Sequence, residues 1–331
     1  MTLSNGGLSH SNLFRRYIVK SSLFVVAALI AVPLGNQALA TYSFTTIADP
    51  GGTSGTVANG INDAGAIVGA YVDSTGQHGF TDTANSFSNF SAPAALATVE
   101  SGINASGAIV GYYEDGSGAS HGFTLTGSSF SSFDAPFAGA AGATFGTGIN
   151  QAGATVGYFF DTSAASHGFL NSSGFTQLDA PGAVNVTVAQ GINSAGTTAG
   201  YYRDASGLAH GFTRTAAGVY TVVDDPAATN GTFVTGINDL GQLTGYYVDG
   251  SNVTHGFVLT GADFVTIDAP GAQAFTEVNG INNAGEIVGE EISAVTGQLE
   301  GFAATVPEPA TLSLLGFGAV ALLSARRRRA A

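Results

Sequence analysis

The stretch Gly60-Ile61-Asn62-Asp63-Ala64-Gly65-Ala66-Ile67-Val68-Gly69-Ala70-Tyr71 decides the fold. Asn-x-x-Gly sits between two apolar runs. Asn tolerates turn geometry and Gly supplies a positive φ, so the runs read as two strands joined by a tight turn. The signature returns at Gly102-Ile103-Asn104, Gly148-Ile149-Asn150, Gly191-Ile192-Asn193, Gly236-Ile237-Asn238 and Gly280-Ile281-Asn282. Spacings of 42, 46, 43, 45 and 44 residues mark one unit met six times.

Outward from each turn the order of features is constant. An apolar stretch leads to an Asp-rich turn such as Asp204-Ala205-Ser206-Gly207, then to His-Gly-Phe, at His78, His121, His167, His210 and His255. A β-rich segment follows and ends in a corner such as Asp268-Ala269-Pro270-Gly271, where proline stops pairing. Four short strands per unit result, and a period near 44 with four strands is the signature of a propeller blade. The last unit stops after its third strand, at Glu300-Gly301-Phe302-Ala303-Ala304, while an orphan strand at Tyr42–Ile47 precedes the first unit. The expected fold is therefore all-β: a six-bladed β-propeller of four-stranded blades over residues 41–305, with the N-terminal strand completing the last blade and removing two sheet edges. The alternative is a β-solenoid with two coils per repeat, which does not require the two ends to complement each other.

The ends carry addresses. Arg15, Arg16 and Lys20 precede an apolar run from Leu23 to Leu34, and Ala38-Leu39-Ala40 is a small-x-small cleavage site. Residues 1–40 read as a secretory signal peptide cut by signal peptidase. At the other end, residues 306–331 comprise Val306-Pro307-Glu308-Pro309, an apolar run over 310–325, and Arg326-Arg327-Arg328-Arg329. The prolines make a stiff, extended handle. The apolar run approaches the ~17–25 residues of a spanning helix. The arginines are costly to translocate and should stay cytoplasmic.

Seven of the nine basic residues lie in these ends, leaving Arg203 and Arg214 against 23 acidic residues that all fall between Asp49 and Glu308. Phosphate-backbone binding needs clustered Lys and Arg, so nucleic acid is excluded as a partner. The charge suits solubility outside the cell and attraction for divalent cations. There are no cysteines, so an apolar core must carry stability unaided.

Pro307, Glu308 and Pro309, the apolar run and the arginine cluster closely resemble the PEP-CTERM sorting signal of Gram-negative bacteria. The resemblance implies processing by exosortase: export, transient anchoring in the inner membrane, then delivery to the cell surface or extracellular matrix, in company with exopolysaccharide. The repeats resemble the HAF-type extracellular repeat family, through Gly-Ile-Asn, the Val-Gly pair and the His-x-Phe signature. Here the middle position of that last signature is Gly in every unit.

Candidate sites follow from what the repeat keeps and where it departs. A histidine needed by every blade serves packing or a turn hydrogen bond, so His78, His121, His167, His210 and His255 read as structural, and the adjoining Phe residues as filling between blades. In pairs such as Tyr112-Tyr113 and Tyr201-Tyr202 adjacent side chains point to opposite faces; the expectation is packing alone, with one member reaching a surface suited to carbohydrate stacking as the alternative. Turns such as Asp115-Gly116-Ser117-Gly118 superficially resemble calcium loops but lack the closing Glu. Ca2+ is the one cofactor the acidic turns suggest. In the sixth unit Glu290, Glu291 and Glu300 replace the Tyr and His positions and form a speculative cation or ligand site. No nucleophile, phosphate-loop or metal-ligand motif is present. The expectation is a non-enzymatic propeller binding exopolysaccharide or another surface protein. The alternative is a glycan-active lyase or hydrolase using those acidic residues.

Overall fold

A computed structural model describes residues 42–139 and 143–305; the leader with Ala38 and Ala40, and the tail from Val306 to Ala331, lie outside them. The described residues form 24 strands, and no helix among them is long and apolar enough to cross a membrane. In the first unit β2 (Thr56–Ile61), β3 (Ile67–Asp73), β4 (Gly76–Asp82) and β5 (Phe87–Phe90) pair antiparallel in chain order. The pattern repeats over 97–133, 144–178, 187–223 and 232–267. The last group has three strands of its own, Ala272–Ile281, Ile287–Ser293 and Leu299–Thr305, and takes its fourth from the other end of the chain. That strand is β1 (Ser43–Ile47), which pairs antiparallel with Leu299–Thr305 from Ser43↔Thr305 to Ile47↔Gly301. The ends complement each other, as a ring requires and a solenoid does not.

Local chemistry explains each element. Asn62 Oδ1 accepts hydrogen bonds from Ala64 N and Ala66 N, both at 3.0 Å, which closes the turn, and Gly65 supplies φ +76°. The same asparagine also acts across units. Its Nδ2 donates to the Asn104 carbonyl at 3.2 Å, and Asn104, Asn150, Asn193, Asn238 and Asn282 repeat the donation around the molecule until Asn282 reaches the Asn62 carbonyl at 3.1 Å. Six side chains thereby close one circle of hydrogen bonds, and all are buried.

Every inner strand carries a bulge just before Gly-Ile-Asn, as between Ala58 and Gly60. The extra residue is unpaired and turns toward the centre. The core between units is built around Phe80, Phe123, Phe169, Phe212, Phe257 and Phe302, at most 2 % exposed. Each lies across the ladder from a glycine. A Cβ on Gly69 would stand 2.8 Å from the Phe80 ring and 2.0 Å from the Val57 carbonyl oxygen, which is why the second strand keeps a glycine at this place in all six units. The clusters join neighbours: Val288 of the last unit packs with Ile61, Tyr71 and Phe80 of the first.

Candidate functional site

The inner strands enclose a channel with three segments. At the Asn-turn end lies a depression of 320 Å³ lined by the six Ile-Asn pairs and the residues after them. A waist of 100 Å³ follows, ringed by residues such as Asn59, Gly60 and Ile61. Beyond it is a cavity of 220 Å³ lined by the bulge residues Asn59, Ser101, Thr147, Gln190, Thr235 and Asn279 together with Val99, Tyr112 and Tyr158. The largest segment is not the best candidate. Its asparagines are consumed by the turn and ring bonds, and its rim bonds to itself: Ser194 Oγ and Asn283 Nδ2 donate to Asp239 Oδ2 and Asp63 Oδ2.

The third segment differs. Residues two positions before each bulge share its face, and each pairs across the ladder with one residue of the next strand. The pairs are Val57–Ala70, Val99–Tyr112, Phe145–Tyr158, Val188–Tyr201, Phe233–Tyr246 and Glu277–Glu290. They form a belt that runs across unit boundaries. Tyr158 stacks on Phe145 at 4.7 Å and Tyr246 on Phe233 at 4.6 Å, while Tyr112 and Tyr201 meet the same two phenylalanines edge-on from the preceding units at 5.0 Å. Among the described residues none of these four tyrosine hydroxyls has a hydrogen-bond partner. The rings are held by packing while their polar ends stay available. Burial raises all four hydroxyls above the ordinary tyrosine range.

Glu277 and Glu290 interrupt this aromatic arc. Burial pushes Glu290 up to about 7. Burial, then the Glu290 charge and the hydrogen bond between the carboxyls, pushes Glu277 up to about 8. Both carboxyls are thus raised toward neutrality, and the pair holds protons there that free glutamates would have lost. The same two carboxylates help to raise Tyr246, which places its hydroxyl within reach of their field. Arg203 stands at the rim, 5.6 Å from the Phe233 ring centre, with its Nη1 donating to the Gly207 carbonyl at 2.8 Å.

The sequence-predicted carboxylates are not brought together as one cluster. Glu290 faces Glu277, which the sequence reading passed over. Glu291, next along the strand, lies on the opposite face and pairs with Glu300, whose charge adds to the effect of burial in raising it. Glu300 accepts a hydrogen bond from Thr296 Oγ1 at 2.8 Å. A register comparison of the six units exposes Glu277 as the one charged residue among Val57, Val99, Phe145, Val188 and Phe233.

The histidines lie away from the belt. His121 Nδ1 is 2.8 Å from Asp134 of the corner, and its Nε2 is 3.4 Å from Asp115 of the preceding turn. His167, His210 and His255 bridge Asp161 with Asp179, Asp204 with Asp224, and Asp249 with Asp268; His78 has Asp73 and Ser91. Each ring packs on an aromatic at 5.1–5.4 Å, four of them on the second residue of a tyrosine position, such as Tyr113 or Tyr202, and His167 on Phe159. Burial works against the charge on His121, His167 and His210, but the flanking carboxylates outweigh it and raise all three. In the Asp115 turn Oδ1 accepts from Ser117 N, Ser117 Oγ and Ala119 N, so the calcium-like spelling is used for turn bonds. Among the described residues no group of three or more His, Asp or Glu side chains is arranged to hold a metal ion.

Residues 305–329 match the PEP-CTERM protein-sorting motif, which implies exosortase-mediated sorting to the surface of a Gram-negative cell. No curated protein matches the sequence. In fold the chain resembles AofleA from Arthrobotrys oligospora, at 10% identity and a TM-score of 0.50, over 80% of this chain and 86% of that one. It resembles virginiamycin B lyase from Staphylococcus aureus at 11% identity and 0.48, over 81% and 100%. It also resembles the Aleuria aurantia lectin solved with Fucα1-6GlcNAc, at 13% identity and 0.46, over 76% and 91%. These likenesses are to propeller proteins and extend to fold alone.

Proposed function

We propose that this chain is an extracellular six-bladed β-propeller that binds glycan at the tyrosine belt without turning it over. In this reading residues 1–40 are removed on export and residues 41–305 are the binding unit. Residues 306–331 deliver it by exosortase processing to the envelope or to an exopolysaccharide matrix, in keeping with the HAF-type resemblance of the repeats. One observation carries the binding site: four tyrosines whose rings are fixed by Phe145 and Phe233 while their hydroxyls have no partner among the described residues. Flat rings with free polar ends offer a sugar both a stacking face and hydrogen bonds.

The second reading is a glycan-active hydrolase or lyase, favoured by the raised Glu277–Glu290 pair. Carboxyls that flank a glycosidic bond stand about 5–9.5 Å apart to admit the sugar or a water. Glu277 and Glu290 are instead directly opposed on one ladder pair, a placement set by strand pairing, so binding without turnover is the first reading.

The test is saturable binding of the purified chain to the host's own exopolysaccharide. Paired Tyr158→Ala and Tyr246→Ala changes should weaken it about tenfold or more, the loss of a central aromatic contact. Unchanged binding in that variant would rule out the belt, and no binding by the parent protein would rule out the lectin-like role. Release of new chain ends, abolished by Glu290→Gln, would favour the enzyme.

A further inference from the structure

We infer that the cavity inside the belt grips the end of a neutral glycan chain: one terminal sugar residue, rich in hydroxyls and without charge. This rests on the binding reading above and adds which part of the ligand is held. The cavity of 220 Å³ is lined by the bulge residues with Val99, Tyr112 and Tyr158, and no charged side chain is among them. Glu277 and Glu290 stand in the belt but do not line it. A charged sugar brought here would leave water for a wall without a counter-charge. An acidic polysaccharide is also repelled on approach, since 23 acidic residues face Arg203 and Arg214 alone between the two ends of the chain.

Neighbouring units fix what the wall offers. Asn59 Nδ2 donates to the Glu100 carbonyl at 2.9 Å, and Asn279 Nδ2 to the Ala58 carbonyl at 3.2 Å, each on the next unit around the ring. Thr147 Oγ1 donates likewise to the Ala189 carbonyl at 2.9 Å, and Thr235 Oγ1 to the Val278 carbonyl. These bonds orient the four side chains and leave their oxygens as acceptors. Among the described residues the side chains of Ser101 and Gln190 have no hydrogen-bond partner, like the hydroxyls of Tyr112 and Tyr158. They supply donors to the same space. A sugar hydroxyl donates one hydrogen and accepts on two lone pairs, so a ring of hydroxyls answers both sets. Few convergent polar groups in a concave site are what a small-ligand site requires.

The floor is closed to a sugar ring. Below the bulge residues the channel narrows to 100 Å³, where glycines bring neighbouring units together backbone to backbone. A Cβ on Gly102 would stand 2.9 Å from the Thr147 carbonyl oxygen, and one on Gly280 3.1 Å from that of Asn59. Six isoleucines, from Ile61 to Ile281, line both this waist and the depression beyond it. A hydroxylated chain pushed further would exchange water for isoleucine. The 220 Å³ above the waist holds roughly seven waters' worth of space at about 30 Å³ each, the scale of one sugar ring with its hydroxyls. A residue inside a chain has links leaving from two sides. A cavity with one way in admits a residue with one link, which is a chain end.

The probe is the host's exopolysaccharide, partly hydrolysed and sized into short and long fractions whose chain ends are counted by methylation and reducing-end assay. Calorimetric titration of the full chain should give the same amount of protein bound per chain end in both fractions. Of glucose, galactose, mannose, fucose and N-acetylglucosamine, at least one should displace the polymer, while glucuronate and glucosamine should not. Ser101→Phe fills the cavity from a side chain that bonds to nothing, and should weaken binding about tenfold or more with a urea transition like the parent's. Gln190→Ala removes one lining amide and should weaken it about fivefold. Binding per end that rises with chain length would overturn the inference and leave the belt a glycan site along the chain. So would displacement by a charged sugar alone, or full binding in both variants. Binding of neither fraction would overturn the inference and the binding reading together.

Discussion

Replacing Asn150 by Ala removes one member of the ring of asparagines, and the cost can be worked from its contacts. Its Oδ1 accepts from Ala152 N at 3.1 Å and Ala154 N at 3.0 Å, and its Nδ2 donates to the Asn193 carbonyl at 3.3 Å. The residue is 7 % exposed, so water does not replace these partners fully. Three bonds at about 0.5–1.5 kcal/mol each give roughly 3 kcal/mol, or about 6–12 °C in Tm for a protein of this size. Asn150→Asp separates the two roles. It keeps both turn acceptors, loses the donor, and sets a carboxylate against a carbonyl oxygen. Its penalty should therefore be about 1–3 kcal/mol at pH 8 and shrink at pH 4, where a protonated carboxyl donates again. Urea unfolding followed by tyrosine emission measures both, since the chain has 11 tyrosines and no tryptophan. Loss of less than about 0.5 kcal/mol for the alanine variant would refute a structural role for the ring. An aspartate variant as stable as the parent at pH 8 would refute the bond between units while sparing the turn.

Gly157→Ala should be far worse than Gly153→Ala. The first puts a Cβ 1.9 Å from the Phe145 carbonyl oxygen and 2.8 Å from the Phe169 ring, costing roughly 3 kcal/mol or more. The second meets nothing within 4 Å at φ +80° and should cost about 1 kcal/mol, both read as urea midpoints. Stability should fall as pH rises from about 6 to 8. His121, His167 and His210, with Glu100, Glu277 and Glu290, are all raised in the folded state, so the native protein binds more protons than the unfolded chain there. A midpoint that rises across that window refutes this, and Asp134→Asn should reduce the share that His121 contributes. Deleting residues 42–48 should bare the edge of Leu299–Thr305 and convert a monomer into associating species on sedimentation; a monomeric, cooperatively unfolding product would refute closure by β1.

Much of this architecture was legible because the repeat writes it six times. Asn-x-x-Gly, the glycine of the second strand and the orphan strand each follow from local rules of turns, close packing and unpaired edges. The circle of asparagines was not legible. A turn-forming Asn looks the same whether or not its amide reaches the next unit, and only closure brings Asn282 to Asn62. Glu290, Glu291 and Glu300 looked like neighbours because they are close in sequence, yet strand alternation sends Glu290 inward to Glu277 and leaves Glu291 with Glu300. The tyrosine doublets were read correctly as two-faced, but that the inner members line up with Phe145 and Phe233 into one belt depended on register set by the bulges.

The pairing of Ser43 with Thr305 also fixes a direction. Third strands run parallel to first strands, so Leu299–Thr305 finishes at the end of the ring where the Asn turns lie, and the chain both enters and leaves there. The belt lies toward the opposite end, near the starts of the first strands. A protein leashed through whatever follows Thr305 is therefore tethered by its asparagine floor, with the tyrosine mouth turned away from the attachment. Cutting the leash would change where the ring travels without changing which side it shows while held.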